Sequence, residues 1–278
     1  MINFSSKIIL EIFLLIVLKL CCPRNQNGVV SLNLNGSKAS FNTSLPKSLE
    51  VRNNITVQNY FQYLDSIIQK YDWITPYPLT EHLLVRYNPW IIDTLQNTDY
   101  YRMKTRDSFV YNQKKMIALS KGASIIIPDS IAAAEILNAF KKTMININIP
   151  EFRLRVFEDA SMLYEFPIRV GRNEKKYLEM AGRIMDLKTK TGSGKIVNHV
   201  RNPKYINPVN NREYFVTKRD DNKVTQLPQI PFIETEINGL RNGQLIHPTT
   251  NPVTLDKAYS NGCIGTKEAD AWVILLRS

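Results

Sequence analysis

The chain has 278 residues, 44% of them hydrophobic and 22% charged, which excludes a disordered or fibrous protein and allows one or two domains with a sizeable core. Its formal net charge is +11, a balance that favours anionic surroundings: nucleic acid, membrane headgroups or an acidic cell-wall polymer. No arginine-rich run, zinc-ligand spacing or Walker loop accompanies that charge, so neither nucleic acid nor a metal is expected as a partner.

Residues 1–22 open with Lys7 and the apolar run Ile12-Phe13-Leu14-Leu15-Ile16-Val17-Leu18. This predicts a secretory signal first, a membrane anchor second and a buried helix third. Glu11 and Lys19 interrupt the run, which makes it a poor spanning helix. Cys21 and Cys22 follow, but Leu18-Lys19-Leu20-Cys21 is a poor lipoprotein box. If this segment is removed, Cys263 is the sole thiol and no intrachain disulfide can form. Residues 23–46, rich in Asn, Ser and Gly, are expected to be a flexible tether.

From 47 to 144 the pattern is mostly helical. Phe61, Leu64, Ile67, Ile68 and Tyr71 recur at spacings of three and four, predicting an amphipathic helix that Pro76 and Pro78 close. Pro89-Trp90-Ile91-Ile92 opens a short helix. Lys121-Gly122 turns into a short strand at 125–128. Ile131 to Leu137 reads as a helix capped by Asp129 or Ser130.

The period changes near 145. Ile145, Ile147 and Ile149 alternate with Asn146 and Asn148, and Phe152, Leu154 and Val156 alternate with Arg153 and Arg155. With a turn at Glu158-Asp159-Ala160-Ser161 and a returning strand from Leu163 to Val170, this predicts a β-hairpin with one buried face. Gly243 precedes Gln244-Leu245-Ile246-His247, a strand ending at the histidine. The run from Thr266 to Leu276 reads as a helix capped by Thr266. The fold class expected is therefore α+β, with a mainly β C-terminal domain at 145–278.

The residues that carry chemistry lie in that domain. His247 precedes Cys263 by 16 residues, and Gly262 directly precedes the cysteine. A lone cysteine with a histidine elsewhere in the chain is a candidate nucleophile and base. A lone cysteine is also commonly a buried small hydrophobe. The loop at 248–252 and the Asn261-Gly262 turn place both side chains at element ends, where sites are usually built. A helix starting just after Cys263 would stabilise its thiolate through the helix dipole. Gly262 permits close approach of a substrate, and the backbone N–H groups around Asn261, Gly262 and Cys263 are candidates for holding an oxyanion. His82, at a helix start or on a surface, and His199, on the exposed face of a strand-like stretch, are expected to be structural.

These residues resemble the L,D-transpeptidase catalytic domain of the YkuD type, over roughly 145–278. That family carries an Ile-His pair, a loop, and then Ser/Thr-His-Gly-Cys with an aliphatic residue. The matching residues here are Ile246-His247 and Ser260-Asn261-Gly262-Cys263-Ile264. The segments Phe166-Pro167-Ile168-Arg169-Val170-Gly171 and Asn202-Pro203-Lys204-Tyr205 resemble further pieces of the family. The resemblance implies a YkuD-like β-sandwich with a helix after the cysteine. It implies peptidoglycan stem peptides as substrate, no cofactor, a periplasmic or cell-envelope location, and a cysteinyl thioester that a second stem peptide resolves into a 3→3 cross-link. Water as acceptor would make the protein an L,D-carboxypeptidase instead, and loss of activity would leave a peptidoglycan-binding protein. Cys263 is then the nucleophile, His247 the general base and acid, and Ser260, Asn261 and Gly262 the oxyanion and substrate contacts. Asn261 stands where the family has histidine, and Gly265 where it commonly has arginine. Family members normally continue into a final strand, so the C-terminus is expected to be truncated. Segments at 83–89 and 121–128 faintly resemble part of a LysM wall-binding repeat, although a helical packing domain without a ligand is the preferred reading.

Overall fold

The computed structural model describes residues 48–108, 112–178, 181–207, 210–219 and 221–278, together with the backbone of Ile2–Ser5. The apolar run at 8–18, the Cys21-Cys22 pair and the tether at 23–46 lie outside these residues. No described helix is long and apolar enough to cross a membrane.

The architecture is α+β, with helices concentrated in the first half and β-structure in the second. Helix α1 spans Tyr60–Tyr71 and buries Tyr60, Phe61, Leu64 and Ile67, the stripe that the three-and-four spacing predicts. Helix α2 (Glu81–Tyr87) is capped by the Thr80 hydroxyl, which accepts from the Leu83 N–H. Helix α3 (Trp90–Gln96) opens directly after Pro89. Helix α4 (Tyr100–Thr105) is capped by Asp99, and α5 (Ser130–Lys141) by Asp129 rather than Ser130. Helix α6 (Glu268–Arg277) is buried along nearly its whole length.

The main sheet has eight strands, in the order Ile264–Thr266, Leu245–Pro248, Phe232–Ile237, Gly192–Val200, Ile2–Ser5, Thr143–Asn148, Arg153–Glu158 and Ser161–Pro167. The last three form an antiparallel meander, one strand more than the β-hairpin that the alternation predicts. Ile145, Ile147, Leu154 and Val156 all point into the core. The returning strand does not run on to Val170 as expected. It stops at Pro167, and Val170–Gly171 instead pairs with Ala258–Ser260, in the segment leading to Cys263.

One hydrophobic core joins the helical half to the sheet. Trp272 of α6 lies edge-on to Tyr60 and 6.0 Å from the Phe61 ring, and its indole N–H donates to the Thr98 hydroxyl. Helices α4 and α6 cap each other's N-termini. Asp99 accepts from the Tyr101, Arg102 and Ala269 N–H groups, while Glu268 accepts from the Tyr100 N–H and the Gln113 side-chain amide. Arg201, just past the strand Gly192–Val200, ties the sheet to α1 and α2 through Asp65 and Glu81, each at 2.9 Å.

Two histidines are placed by this packing. His82 is the second residue of α2, and its ring meets Phe140 at 3.8 Å. Burial drives its pKa down to about 3. His199 is not on an exposed face as expected. Its ring is part-buried and close enough to His82 of α2 for the two to interact, and burial lowers its pKa to about 4. Both rings are neutral packing elements.

Candidate active site

His247 sits on the strand Leu245–Pro248, which runs parallel to Ile264–Thr266 with His247 opposite Gly265 and Ile246 opposite Ile264. Ile246 and Ile264 are both core residues, so the alternate positions point to the other side of the sheet. Cys263, one residue before Ile264, therefore shares a face with Leu245, His247 and Gly265. Both functional side chains are half-buried. The pairing is that of two adjacent parallel strands, and it brings together residues that the sequence separates by a loop.

The helix expected directly after Cys263 does not start there. The strand Ile264–Thr266 intervenes, α6 begins at Glu268, and Lys267 rather than Thr266 is its N-cap. Thr266 belongs to the sheet and donates its hydroxyl to the His247 carbonyl at 3.5 Å. The dipole of α6 fades within its first turn and does not reach the thiol.

Local groups set the protonation states instead. The imidazole Nδ1 lies 2.8 Å from the Pro248 carbonyl oxygen. A carbonyl only accepts, so this contact fixes the proton on Nδ1 and leaves Nε2 with its lone pair. Burial, with a smaller contribution from Arg169, lowers the His247 pKa to about 4, against the opposing Pro248 contact. Burial also raises the Cys263 thiol, opposed by the Leu245 backbone and by Arg169. The thiol lies 3.9 Å from the Gly243 carbonyl. At neutral pH Cys263 is thus a thiol and His247 a neutral imidazole, a form that can accept a proton.

Ser260, Asn261 and Gly262 form the loop that presents the thiol. The Ser260 hydroxyl donates to the Cys263 carbonyl at 2.5 Å and accepts from the Gly262 N–H at 3.2 Å. The Gly262 N–H is therefore turned inward in this state, while the Asn261 side-chain oxygen accepts from Arg172 at 2.6 Å. Gly262 has φ +114°, a conformation that glycine alone adopts readily.

Three residues beyond the sequence-derived set hold this arrangement. The Thr189 hydroxyl accepts from the Gly171 N–H at 2.7 Å and donates to the Gly262 carbonyl at 2.9 Å, clamping the loop. Gly171 fits because a Cβ there would stand 2.0 Å from the Leu187 carbonyl oxygen. Arg169 exchanges backbone hydrogen bonds with Gly265 at 2.9 and 3.0 Å. Its side chain crosses the space a Cβ on Gly265 would need, with Cγ and Nε each 2.7 Å from that point. Glycine at 265 therefore makes room for an arginine delivered from another strand. Arg169 and Gly171 fall in the segment 166–171 that resembles the family, where the resemblance assigns neither a role, and Thr189 lies in a loop that nothing local marks. Among the described residues, no three His, Cys, Asp or Glu side chains cluster as a metal site would require.

One solved structure with similarity is the L,D-transpeptidase (residues 123–326) from Xylanimonas cellulosilytica DSM 15894, at 12% identity and a TM-score of 0.28, covering 82% of this chain and 90% of that one. No curated protein matches the chain. A family model does, over the segment that contains the paired strands, the thiol and the imidazole. That segment, residues 142–276, is similar to the YkuD family, the L,D-transpeptidase catalytic domain.

Proposed function

We propose that the protein is a peptidoglycan L,D-transpeptidase that works through a thioester on Cys263. The observation that carries this reading is the parallel pairing that sets the His247 strand beside Ile264–Thr266, the strand Cys263 leads into, with the imidazole proton held on Nδ1 by Pro248. As the Cys263 sulfur attacks the carbonyl at the L-centre of the third-position diamino acid, Nε2 of His247 takes the thiol proton. The oxyanion of the tetrahedral intermediate is met by the backbone N–H groups of Asn261 and Cys263, the Gly262 N–H being held by Ser260. His247 then returns the proton to the departing amine, D-alanine leaves, and a thioester remains. The amine of a second stem peptide attacks the thioester, passes a proton through His247 to the sulfur, and forms the 3→3 amide. The substrate places the protein in the cell envelope, in keeping with the basic and apolar N-terminal run.

The test is intact-mass analysis after exposure to a carbapenem and, separately, to a stem tetrapeptide with a labelled acceptor. A single acyl adduct, absent in Cys263→Ala and slowed in His247→Gln, is expected. Incorporation of the labelled acceptor is expected from a transpeptidase, whereas release of tripeptide alone identifies a carboxypeptidase. Folded protein that forms no adduct would refute the thioester reading.

A further inference from the structure

The strand Ile2–Ser5 stands inside the main sheet, parallel to Gly192–Val200 on one side and antiparallel to Thr143–Asn148 on the other. Those two flanking strands do not pair with each other. Among the described residues, the three strands from Thr143 to Pro167 therefore meet the four strands from Gly192–Val200 to Ile264–Thr266, that of His247 among them, only through these four residues in the sheet order. At the outer edges a backbone bridge between Arg169 and Gly265 joins the same two groups. Ile2–Ser5 and that bridge are thus two seams between the meander and the part of the sheet that carries His247.

The register of this strand is selective. Neighbouring strands lie about 4.8 Å apart, so the gap between the flanking backbones is about 10 Å and admits one extended chain. Ile2 stands opposite Ile147 and Phe4 opposite Ile145, the two core-facing isoleucines, while Asn3 stands opposite Asn146. The alternation of apolar and polar residues at 2–4 is in phase with that at 145–147, and a slip of one residue would invert it. On the other side Ile2 and Phe4 stand beside Gly192 and Gly194. Glycine within a strand leaves space for a close neighbour, so the Gly192-Ser193-Gly194 stretch suits large residues at those two positions.

We propose that the gap between Thr143–Asn148 and Gly192–Val200 is a strand-acceptor slot, and that the chain's own Ile2–Ser5 is its occupant and closes the sheet. Each flanking strand turns alternate N–H and C=O groups toward the slot, and an empty slot would leave them unpaired inside the sheet. An extended segment with apolar residues at alternate positions satisfies them and continues the buried face. The apolar run at 12–18 lies a few residues after this strand, so a form of the protein cleaved beyond that run would have an open slot until another extended segment entered. The slot is independent of acyl transfer, since backbone pairing alone defines it.

The experiment measures hydrogen exchange by mass spectrometry on the full chain and on Asn3→Pro, in which proline removes a backbone donor from the ladder. Amides of Thr143–Asn148 and Gly192–Val200 are expected to exchange about tenfold faster in the variant, the scale of one lost hydrogen bond, with those of Tyr60–Tyr71 changing less. A second variant decides the matter if Asn3→Pro fails to fold. Ser5 and Met144 stand opposite each other. An antiparallel pair sets Cα atoms about 4.5–5.5 Å apart, within the reach of a disulfide, so Ser5→Cys/Met144→Cys should cross-link within one chain on mild oxidation, as peptide mapping would read. Unchanged exchange in both flanking strands of folded Asn3→Pro would overturn the slot. A cross-link between chains, or none in the folded double variant, would overturn Ile2–Ser5 of the same chain as its occupant.

Discussion

Replacing Thr189 by valine tests the clamp behind the cysteine loop. The side chain is 7% exposed, and valine keeps its shape while removing the hydroxyl. Two hydrogen bonds are lost, from the Gly171 N–H at 2.7 Å and to the Gly262 carbonyl at 2.9 Å. Water cannot easily replace the first. The space beside Gly171 is closed by the Leu187 carbonyl and the Thr189 backbone, both within 2.5 Å of where a Cβ would stand. An unsatisfied buried donor costs about 1–3 kcal/mol, and the second bond contributes about 1 kcal/mol net. The new methyl offsets about 0.8 kcal/mol. The expected destabilisation is therefore about 2 kcal/mol, a shift of roughly 0.7 M in urea midpoint for a slope near 3 kcal/mol/M. Thr189→Ser, which keeps the hydroxyl and loses a methyl, should cost only about 1 kcal/mol. The two variants separate more sharply in acylation of Cys263. A loop displaced by about 1 Å can lose on the order of a hundredfold in rate, so the valine variant should lose kcat with little change in KM. The serine variant should stay near the parent. If valine proved as stable as serine and acylated at the parental rate, the hydroxyl bridge would not be what positions Cys263.

The rate of acylation should show its acid limb near pH 4, where His247 takes up a proton, and a plateau extending past neutral because burial raises the thiol; a limb near 6.5 would show an imidazole without its burial. Stability carries the matching sign. The folded His247 pKa lies below the unfolded value, so stability is lost as pH falls through the window from about 6.5 to about 4. Glu268 behaves oppositely. Burial, with Asp99 adding to it, raises its folded pKa to about 8, so stability falls as pH rises from about 4.5 to about 8. Glu268→Gln keeps an oxygen for the Tyr100 and Gln113 donors and should be more stable than the parent at pH 8.5 by a few kcal/mol at most, in urea titrations at two pH values. Gly265→Ala should displace Arg169, raise the acid limb by lifting that charge from His247, and slow acylation at least tenfold without unfolding the chain, as circular dichroism would show.

Local periodicity made much of this fold legible. The three-and-four spacing of Phe61, Leu64 and Ile67 marks α1, and the alternation of Ile145 and Ile147 with asparagines marks the sheet, because each element buries one face. His247 and Cys263 stood out through residue type and the turn at Gly262. Contacts between distant segments were not legible. The strand Ile264–Thr266 is three residues long, and its partner lies upstream across a loop, so Thr266 reads locally as a cap although its backbone pairs with the histidine strand. His199 was misplaced because alternation shows that one face is buried but not whether helices cover the other. Arg169 and Gly265 form a complementary pair only after the fold joins them, and neither residue type alone announces it.

On the proposed mechanism, the position of that strand also bears on how the thiol is activated. A cysteine at a helix N-terminus would lean toward its thiolate at rest. Here a strand separates Cys263 from α6, and burial favours the neutral thiol. Arg169 pulls in the thiolate's favour and simultaneously against the imidazolium, so it cannot sustain a resting thiolate–imidazolium pair of the kind an oppositely charged partner would support. The proton must therefore move as sulfur attacks, and the negative charge that develops passes quickly from sulfur to the substrate oxygen. On the same mechanism, a resting thiol resists oxidation and non-specific alkylation until an acyl donor occupies the site, because the thiolate is the reactive form. On the proposed mechanism the imidazole's tautomer matters more than its basicity: Nε2 has to carry the lone pair at the moment of attack, and the Pro248 carbonyl is what keeps the proton on Nδ1.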